Sequence, residues 1–237
     1  MPIDHGNDII LLTCANGKPC NQLIPFLLPK RKRLRLAVSN DSSRQQLLEK
    51  YAGESKAQIE VVLADLTQPD DCKRILEGIT AVYHVKPTFH PRETKIGSNI
   101  PLLTLSVLHP CLRKLLIHVC KRYVEEALIE SGLPYTILQP SNFIDPFPIR
   151  EILSDERPVY RALWNPDVPF CYTSLYDLAE ASSAILDRRE DHFYATYRMV
   201  STSPPMDYGG VCKIVSKVVG KDIKVEKMPF QKTMERD

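Results

Sequence analysis

The sequence is poor in the residues that announce most sites. Only nine of its 237 residues are glycine. In its first strand–loop–helix candidate, "LLTCANGKPCNQLIPFLL" (Leu11 to Leu28), Gly17 is the only one. No charge sign dominates: 31 basic and 29 acidic residues leave a net charge of +2. That balance gives nucleic acid or an anionic membrane no hold as the main partner. The seven cysteines include no Cys-x-x-Cys pair and no cluster at finger-like spacing. A zinc site is therefore not expected, nor any other metal, and the thiols read as buried and free in a reducing compartment. No apolar run approaches the roughly 20 residues of a membrane span. The start, "MPIDHGNDIILLT", lacks a basic leader segment, so the chain is read as cytoplasmic with no signal peptide. Internal repeats and low-complexity linkers are also absent.

What remains is an ordinary globular composition, 43% hydrophobic and 25% charged, in a chain sized for one large domain or a domain with a small appendage. "DIILLT" is a short continuous apolar run that suits a strand buried on both faces. "NQLIPFLL" follows at helical spacing, with Pro25 near the helix start. "RLRLAV" (Arg33 to Val38) is a second strand, and "SSRQQLLEKYA" a helix opened by Ser42 or Ser43. "IEVVLAD" (Ile59 to Asp65) is the third strand. "QPDDCKRILEG" is a helix with Pro69 in its first turn and Gly78 closing it. "TAVYHV" is the fourth strand. Strands alternating with helices of this length predict an α/β fold built on a parallel sheet with helices on both faces.

The alternation then breaks. "KPTFHPRETKIGSNIP" (Lys86 to Pro101) does not read as a helix, yet "LLTLSV" reads as another strand. A parallel crossover normally carries a helix over the sheet face, and here that helix is expected to be missing. Apolar sheet surface left bare would need another element or a second copy of the chain to cover it. Regularity returns with the amphipathic helix "CLRKLLIHVCKRYVEEALIESG", stopped by Gly132. The strand "LPYTILQP", the helix "YTSLYDLAEASSAILDRRE" starting at Thr173 or Ser174, and the late strand "HFYATYRMV" follow. The helix "PMDYGGVCKIVSKVVG" and the final strand "DIKVEKMPF" complete the chain.

The segments "VVLADLTQPDDCKRILEGITAVYHV" and "YVEEALIESGLPYTILQPSNFIDPF", in this order behind the first strand–loop–helix, resemble the NmrA-like family. Its members are atypical relatives of the short-chain dehydrogenase/reductases, of the type common in fungi. The resemblance implies a Rossmann-like doubly wound sheet binding NAD(P), with a small C-terminal substrate region. Residues 1–140 would form the dinucleotide-binding core. Residues 141–237 would form the substrate region, intertwined with that core and shorter than in other family members.

Carried over by position, the family's glycine turn falls on Cys14, Gly17 and Cys20, with Asn16 and Lys18 beside the phosphates. The first glycine of such a turn permits tight folding, the second lets backbone approach the pyrophosphate, and the third allows close helix–strand packing. The ligand-critical middle position keeps Gly17, while Cys14 is the serious departure. Asp65, with Leu66, matches the acidic residue near the adenine. Lys121, opening "KxxVEExL", matches the lysine that lies near the nicotinamide ribose in catalytic relatives, and is the residue expected to be catalytic. The superfamily's partner tyrosine is missing, because Ile117 stands four residues before Lys121. After the second strand Asp41 and Arg44 compete, one suited to a free ribose and the other to a 2′-phosphate. Arg44 tilts the cofactor toward NADP over NAD. Loops at carboxyl strand ends offer His84, Lys86, Phe89 and His90, and Asn142 with Phe143, of which Phe89, Asn142 and Phe143 are expected to touch substrate.

The resemblance thus implies an oxidoreductase of secondary metabolism, moving hydride between NADP(H) and a small natural product. Two alternatives stay open: a non-catalytic protein that senses the NAD(P) pool, and a decayed homologue without cofactor.

Overall fold

The computed structural model describes residues 7–30, 33–53, 58–85, 103–107, 116–145, 147–162 and 165–228. Lys86, Phe89, His90 and the whole proposed crossover lie outside them. Two compact units emerge, Met1–Pro140 with Leu175–Met199, and Ser141–Ser174 with Val200–Asp237.

The first unit is built on a seven-stranded sheet. Its strands are β1 (Ile9–Leu12), β2 (Arg33–Val38), β3 (Gln58–Leu63), β4 (Ala81–His84), β5 (Leu103–Leu105), β6 (Thr136–Pro140) and a late strand, Ala195–Met199. The late strand pairs with β6, and the order runs late strand, β6, β5, β4, β1, β2, β3. Every pairing is parallel. This is the parallel α/β sheet expected from the alternating pattern, and its Rossmann-like order is the one that the resemblance implies. Residues of β1, β4, β5 and β6 are buried throughout, as strands covered on both faces must be.

Among the described residues the helices of this unit are α1 (Lys18–Leu27), α2 (Asp41–Lys50), α3 (Pro69–Leu76), α4 (Leu116–Glu130) and, later in the chain, Leu175–Asp187. Two start signals differ from the sequence reading. Pro25 lies inside α1, and Pro19 takes the first-turn position, because the helix begins as soon as Gly17 ends the turn. Asn40, not Ser42 or Ser43, caps α2: its side-chain oxygen accepts from the Ser43 N–H at 2.8 Å. Ser42 and Ser43 lie inside the first turn, and Asn40, the residue just before the helix, is the better-placed acceptor. Gly78 and Gly132 adopt positive φ behind α3 and α4, where a Cβ would be strained.

Asp8 and Arg189 brace the opposite end of the sheet. Asp8 is 3% exposed and accepts two hydrogen bonds of 2.8 Å from Arg189 and one from the Thr80 hydroxyl. Arg189 opens a 3-10 turn behind α6 (Leu175–Asp187).

The second unit holds two short parallel pairs. In chain order after β6 its strands are β7 (Asn142–Phe143), β8 (Val159–Ala162) and β9 (Tyr172–Thr173), so that the late strand of the first unit is β10 and Lys224–Lys227 is β11. β7 pairs with β9 and β8 with β11. Helix α5 (Ile149–Ser154) and helix α7 (Tyr208–Val219) supply Ile152 and Cys212 to a small core with Ile223. Phe147 and Tyr160 stack over it, ring centroids 4.9 Å apart. Among the described residues no helix is long and apolar enough to cross a membrane.

Candidate functional site

The strand order reverses between β1 and β4, since β2 follows β1 on one side and β4 flanks it on the other. In open α/β sheets the crevice outside the carboxyl ends at such a point is where ligands bind. Here the two ends are joined by one hydroxyl. Thr13 Oγ1 donates to the Val85 carbonyl at 2.8 Å, accepts from the Val85 N–H at 3.0 Å, and lies 2.9 Å from His84 Nδ1.

The β1–α1 turn follows. Cys14 has φ +48°, so the first position of the turn does demand the conformation that glycine adopts without strain. Its carbonyl accepts from the Gly17 N–H at 2.8 Å, closing the turn. A Cβ on Gly17 would come within 3.1 Å of that same carbonyl oxygen. Gly17 is the N-cap of α1 and brings no side-chain cap, leaving backbone N–H groups directed out of the helix start. Cys20 is buried, and its thiol reaches the Thr13 carbonyl at 3.4 Å. Cysteine thus fills the packing position without blocking the turn. Burial pushes the Cys14 thiol up to about 11, with nearby Lys121 pulling the other way, so it is a neutral thiol near pH 7.

Asn16 and Lys18 are exposed on the turn. The Asn16 amide donates to Ser43 Oγ at 2.9 Å, tying the turn to the first turn of α2. Arg44 lies on that same turn, its guanidinium 3.9 Å from the Asp41 carboxylate and half exposed. Asp65 follows β3, and its carboxylate accepts from the Thr67 N–H and hydroxyl at 2.9 and 2.7 Å. The Asp65 N–H donates to Asp71 at 2.8 Å. Hydrogen bonds from Arg74 and then from Asp65 hold the Asp71 carboxyl below its usual range. The Leu66 side chain is spent on the core with Leu11, Ala37, Ala64, Cys72, Ile75 and Val82.

A buried polar row continues from Thr13 along the sheet. Register carries Thr13 to His84, His84 to Thr104, and Thr104 to Ile137. Two residues on, Ser106 and Gln139 share that face by strand alternation. Thr13, His84, Thr104, Ser106 and Gln139 are each no more than 6% exposed. The hydroxyls of Thr104 and Ser106 have no hydrogen-bond partner among the described residues. Strands covered on both faces are ordinarily apolar, so five polar side chains at one end need a reason. The row meets α4, where the Gln139 amide donates to Glu125 at 3.0 Å. Lys121 is 6% exposed and shares the buried stripe of α4 with Val124 and Leu128.

The first unit therefore holds Asn16, Gly17, Lys18, Arg44, Asp65, Leu66 and Lys121. Asn142 and Phe143 lie in the second, on β7, the former exposed and the latter half-buried. Phe89 falls outside the described residues. Thr13, Ser43, Thr104, Ser106, Glu125 and Gln139 were not foreseen. Polar letters inside the apolar runs "LLTLSV" and "TILQP" were the signal for three of them.

No family profile matches the sequence, and no curated protein matches it. Solved structures do resemble its fold. A triphenylmethane reductase from Citrobacter sp. aligns at TM-score 0.78 and 19% identity, over 94% of this chain and 79% of that one. An NADPH-dependent quinone oxidoreductase from Escherichia coli, complexed with NADPH, aligns at 0.76 and 18%, over 92% and 78%. NmrA, a negative transcriptional regulator, aligns at 0.78 and 15%, over 94% and 75%. Reductases and a regulator are thus matched alike, and what the likeness establishes for this chain is the fold: a parallel α/β sheet of the Rossmann-like kind.

Proposed function

We propose that this chain is an NmrA-like oxidoreductase that binds NADP(H) along the carboxyl ends of β1 to β4. It would exchange hydride with a small natural-product molecule. One observation carries the reading: residues that the resemblance assigns to the cofactor cluster at one end of one sheet, around an uncapped helix start. The residues suit a dinucleotide. The α1 N-terminus offers backbone donors to a pyrophosphate, and Gly17 keeps the approach bare of side chain. Lys18 and Arg44 supply exposed cations on the two turns that flank it, Arg44 being the group suited to a 2′-phosphate. Asp65 stands at the end of β3 for the adenine, beside the Leu66 backbone. Lys121 would hold the nicotinamide ribose from α4.

When bound, the nicotinamide supplies the hydride chemistry, and the protein supplies position and electrostatics. Asn142 and Phe143 are proposed to meet the substrate. The substrate class proposed is an aromatic or polyketide-like natural product, by analogy with the wider family.

The missing tyrosine at position 117 and the equal likeness to a regulator favour a second reading, a dinucleotide-sensing protein without turnover. Calorimetric titration with NADP, NADPH, NAD and NADH, followed by a panel of carbonyl and quinone acceptors, separates the readings. Tight NADPH binding with turnover is the expected result. Binding that discriminates redox states without turnover selects the second reading. No binding at millimolar ligand overturns both and leaves a cofactor-free homologue.

A further inference from the structure

We infer that the hydrogen bond from Asn16 to Ser43 is a specificity device. It sets the first turn of α2, and with it Arg44, against the β1–α1 turn, so that the two turns together favour a dinucleotide carrying a 2′-phosphate. The inference rests on the dinucleotide-binding reading above, and it makes Asn16 and Ser43 positioning residues.

Helix α2 has little else to hold it. A helix seated on a core ordinarily buries about three residues in every two turns. Of the ten residues of α2 only Ser43 and Leu47 are buried, so a single apolar side chain anchors it and polar ties decide where it sits. The Asn16 amide donates to Ser43 Oγ at 2.9 Å, and Ser43 is 7% exposed, which shields that bond from water. Asn16 is held from behind as well. Its carbonyl accepts from the Asn21 side-chain amide at 2.7 Å, and the Asn21 side-chain oxygen accepts from Lys50 at 2.9 Å. The start and the last residue of α2 are thus both tied to the β1–α1 turn and α1. Asn40 carries the constraint on to Arg44. Its side-chain oxygen accepts from the Ser43 N–H at 2.8 Å, and its carbonyl accepts from the Arg44 N–H at 3.1 Å.

What this placement sets is a distance. The pyrophosphate of a dinucleotide and its 2′ position are joined through one ribose, so the turns that meet them must stand at a matching separation. The Gly17 turn would meet the first and Arg44 the second. The Arg44 guanidinium is half exposed and 3.9 Å from Asp41, beyond hydrogen-bond reach, which suits it to a forked contact with phosphate. A charged, directional contact of that kind suffers more from misplacement than the neutral hydrogen bond that a ribose hydroxyl of NADH makes.

The test is calorimetric titration of the full chain with NADPH and with NADH, with thermal melting as the check on folding. Ser43→Ala and Asn16→Ala are each expected to weaken NADPH about tenfold, the scale of one charge-assisted hydrogen bond, and NADH less than about threefold. The double variant should match the single ones, because both remove the same bond. In an Arg44→Gln background, where the preference for the 2′-phosphate is already lost, neither change should move the ratio of the two affinities. If Ser43→Ala does not fold, Asn16→Ala decides alone, since its side chain is exposed. A merely structural tie would lower both affinities alike. Equal losses for the two cofactors, no loss, additive losses in the double variant, or a wild-type protein without preference for NADPH would overturn the inference and leave dinucleotide binding standing. A wild-type protein that binds neither cofactor overturns both.

Discussion

Thr13 Oγ1 and His84 Nδ1 lie 2.9 Å apart across the ends of β1 and β4. The threonine has one proton, and the Val85 carbonyl at 2.8 Å has none of its own to offer. The proton therefore goes to Val85, and His84 donates Nδ1–H to the threonine oxygen, which fixes the imidazole tautomer. Both side chains are fully buried. Thr13→Val keeps the shape and takes the hydroxyl from three partners at once. Urea denaturation should show a loss of about 3 kcal/mol, as expected when buried donors and acceptors lose a shared partner. Thr13→Ser should recover most of it. An unchanged midpoint for Thr13→Val would mean that the hydroxyl is not what joins the strands.

Cys14 gives stability a direction in alkaline solution. Its thiol rises from 9.0 to about 11 in the folded protein, so the folded state holds a proton that the unfolded state gives up first. Between those two values the unfolded chain binds fewer protons, and stability must fall as pH rises. Below pH 9 this group contributes no slope. Burial pushes Cys20 and Tyr83 in the same direction, so the decline should be shared. Melting temperature measured from pH 8 to 11 should therefore drop, and Cys14→Ser should flatten part of that drop. An identical alkaline slope in the variant would remove Cys14 from the account.

The sheet was legible because period and punctuation agreed. The apolar run at Ile9–Leu12, the limits of β2, and Gly78 and Gly132 all read directly from the sequence. The start of α1 was misread, because a proline inside a helix and one at its first turn look alike in a short window. Strands of two residues, such as β7 and β9, are too short to show any period. The strand β8 was missed because its partner, β11, is more than sixty residues away in sequence. Within the β1–α1 turn, Gly17 could be singled out as the position that must stay bare, whereas nothing in the sequence announced that Lys121 is buried. The polar row could not be read either, because Thr13, His84 and Thr104 come together only through register across three strands.

Arg189 and Asp8 are expected to behave as a brace rather than as a surface pair. The carboxylate is 3% exposed and the arginine side chain 16% exposed. Removing one partner of a buried pair leaves the other charge uncompensated. Arg189→Met should therefore cost about 3 kcal/mol in chemical denaturation, while Asp8→Asn with Arg189→Met should cost less than the single arginine change. A loss within the range of an exposed ion pair, under about 1 kcal/mol, would show that water reaches the pair.

Gly17 separates the needs of the turn from those of a ligand. Its bare α-carbon faces the Cys14 carbonyl, which a Cβ would approach to 3.1 Å. That neighbour is backbone, pinned by its own bond to the Gly17 N–H, and it can yield only by shifting a residue already held at φ +48°. Gly17→Ala should thus cost about 1 kcal/mol without any ligand present, within the usual cost of mild overpacking. Cys14→Gly relieves the left-handed strain, worth about 1 kcal/mol, and should raise the melting temperature. Because glycine at 14 lets that carbonyl move, Gly17→Ala should cost less beside Cys14→Gly than alone. If the two changes add, the turn does not transmit strain between its ends. Gly17→Ala would then speak only to ligand binding, where NADPH affinity should fall whether or not Cys14 is present.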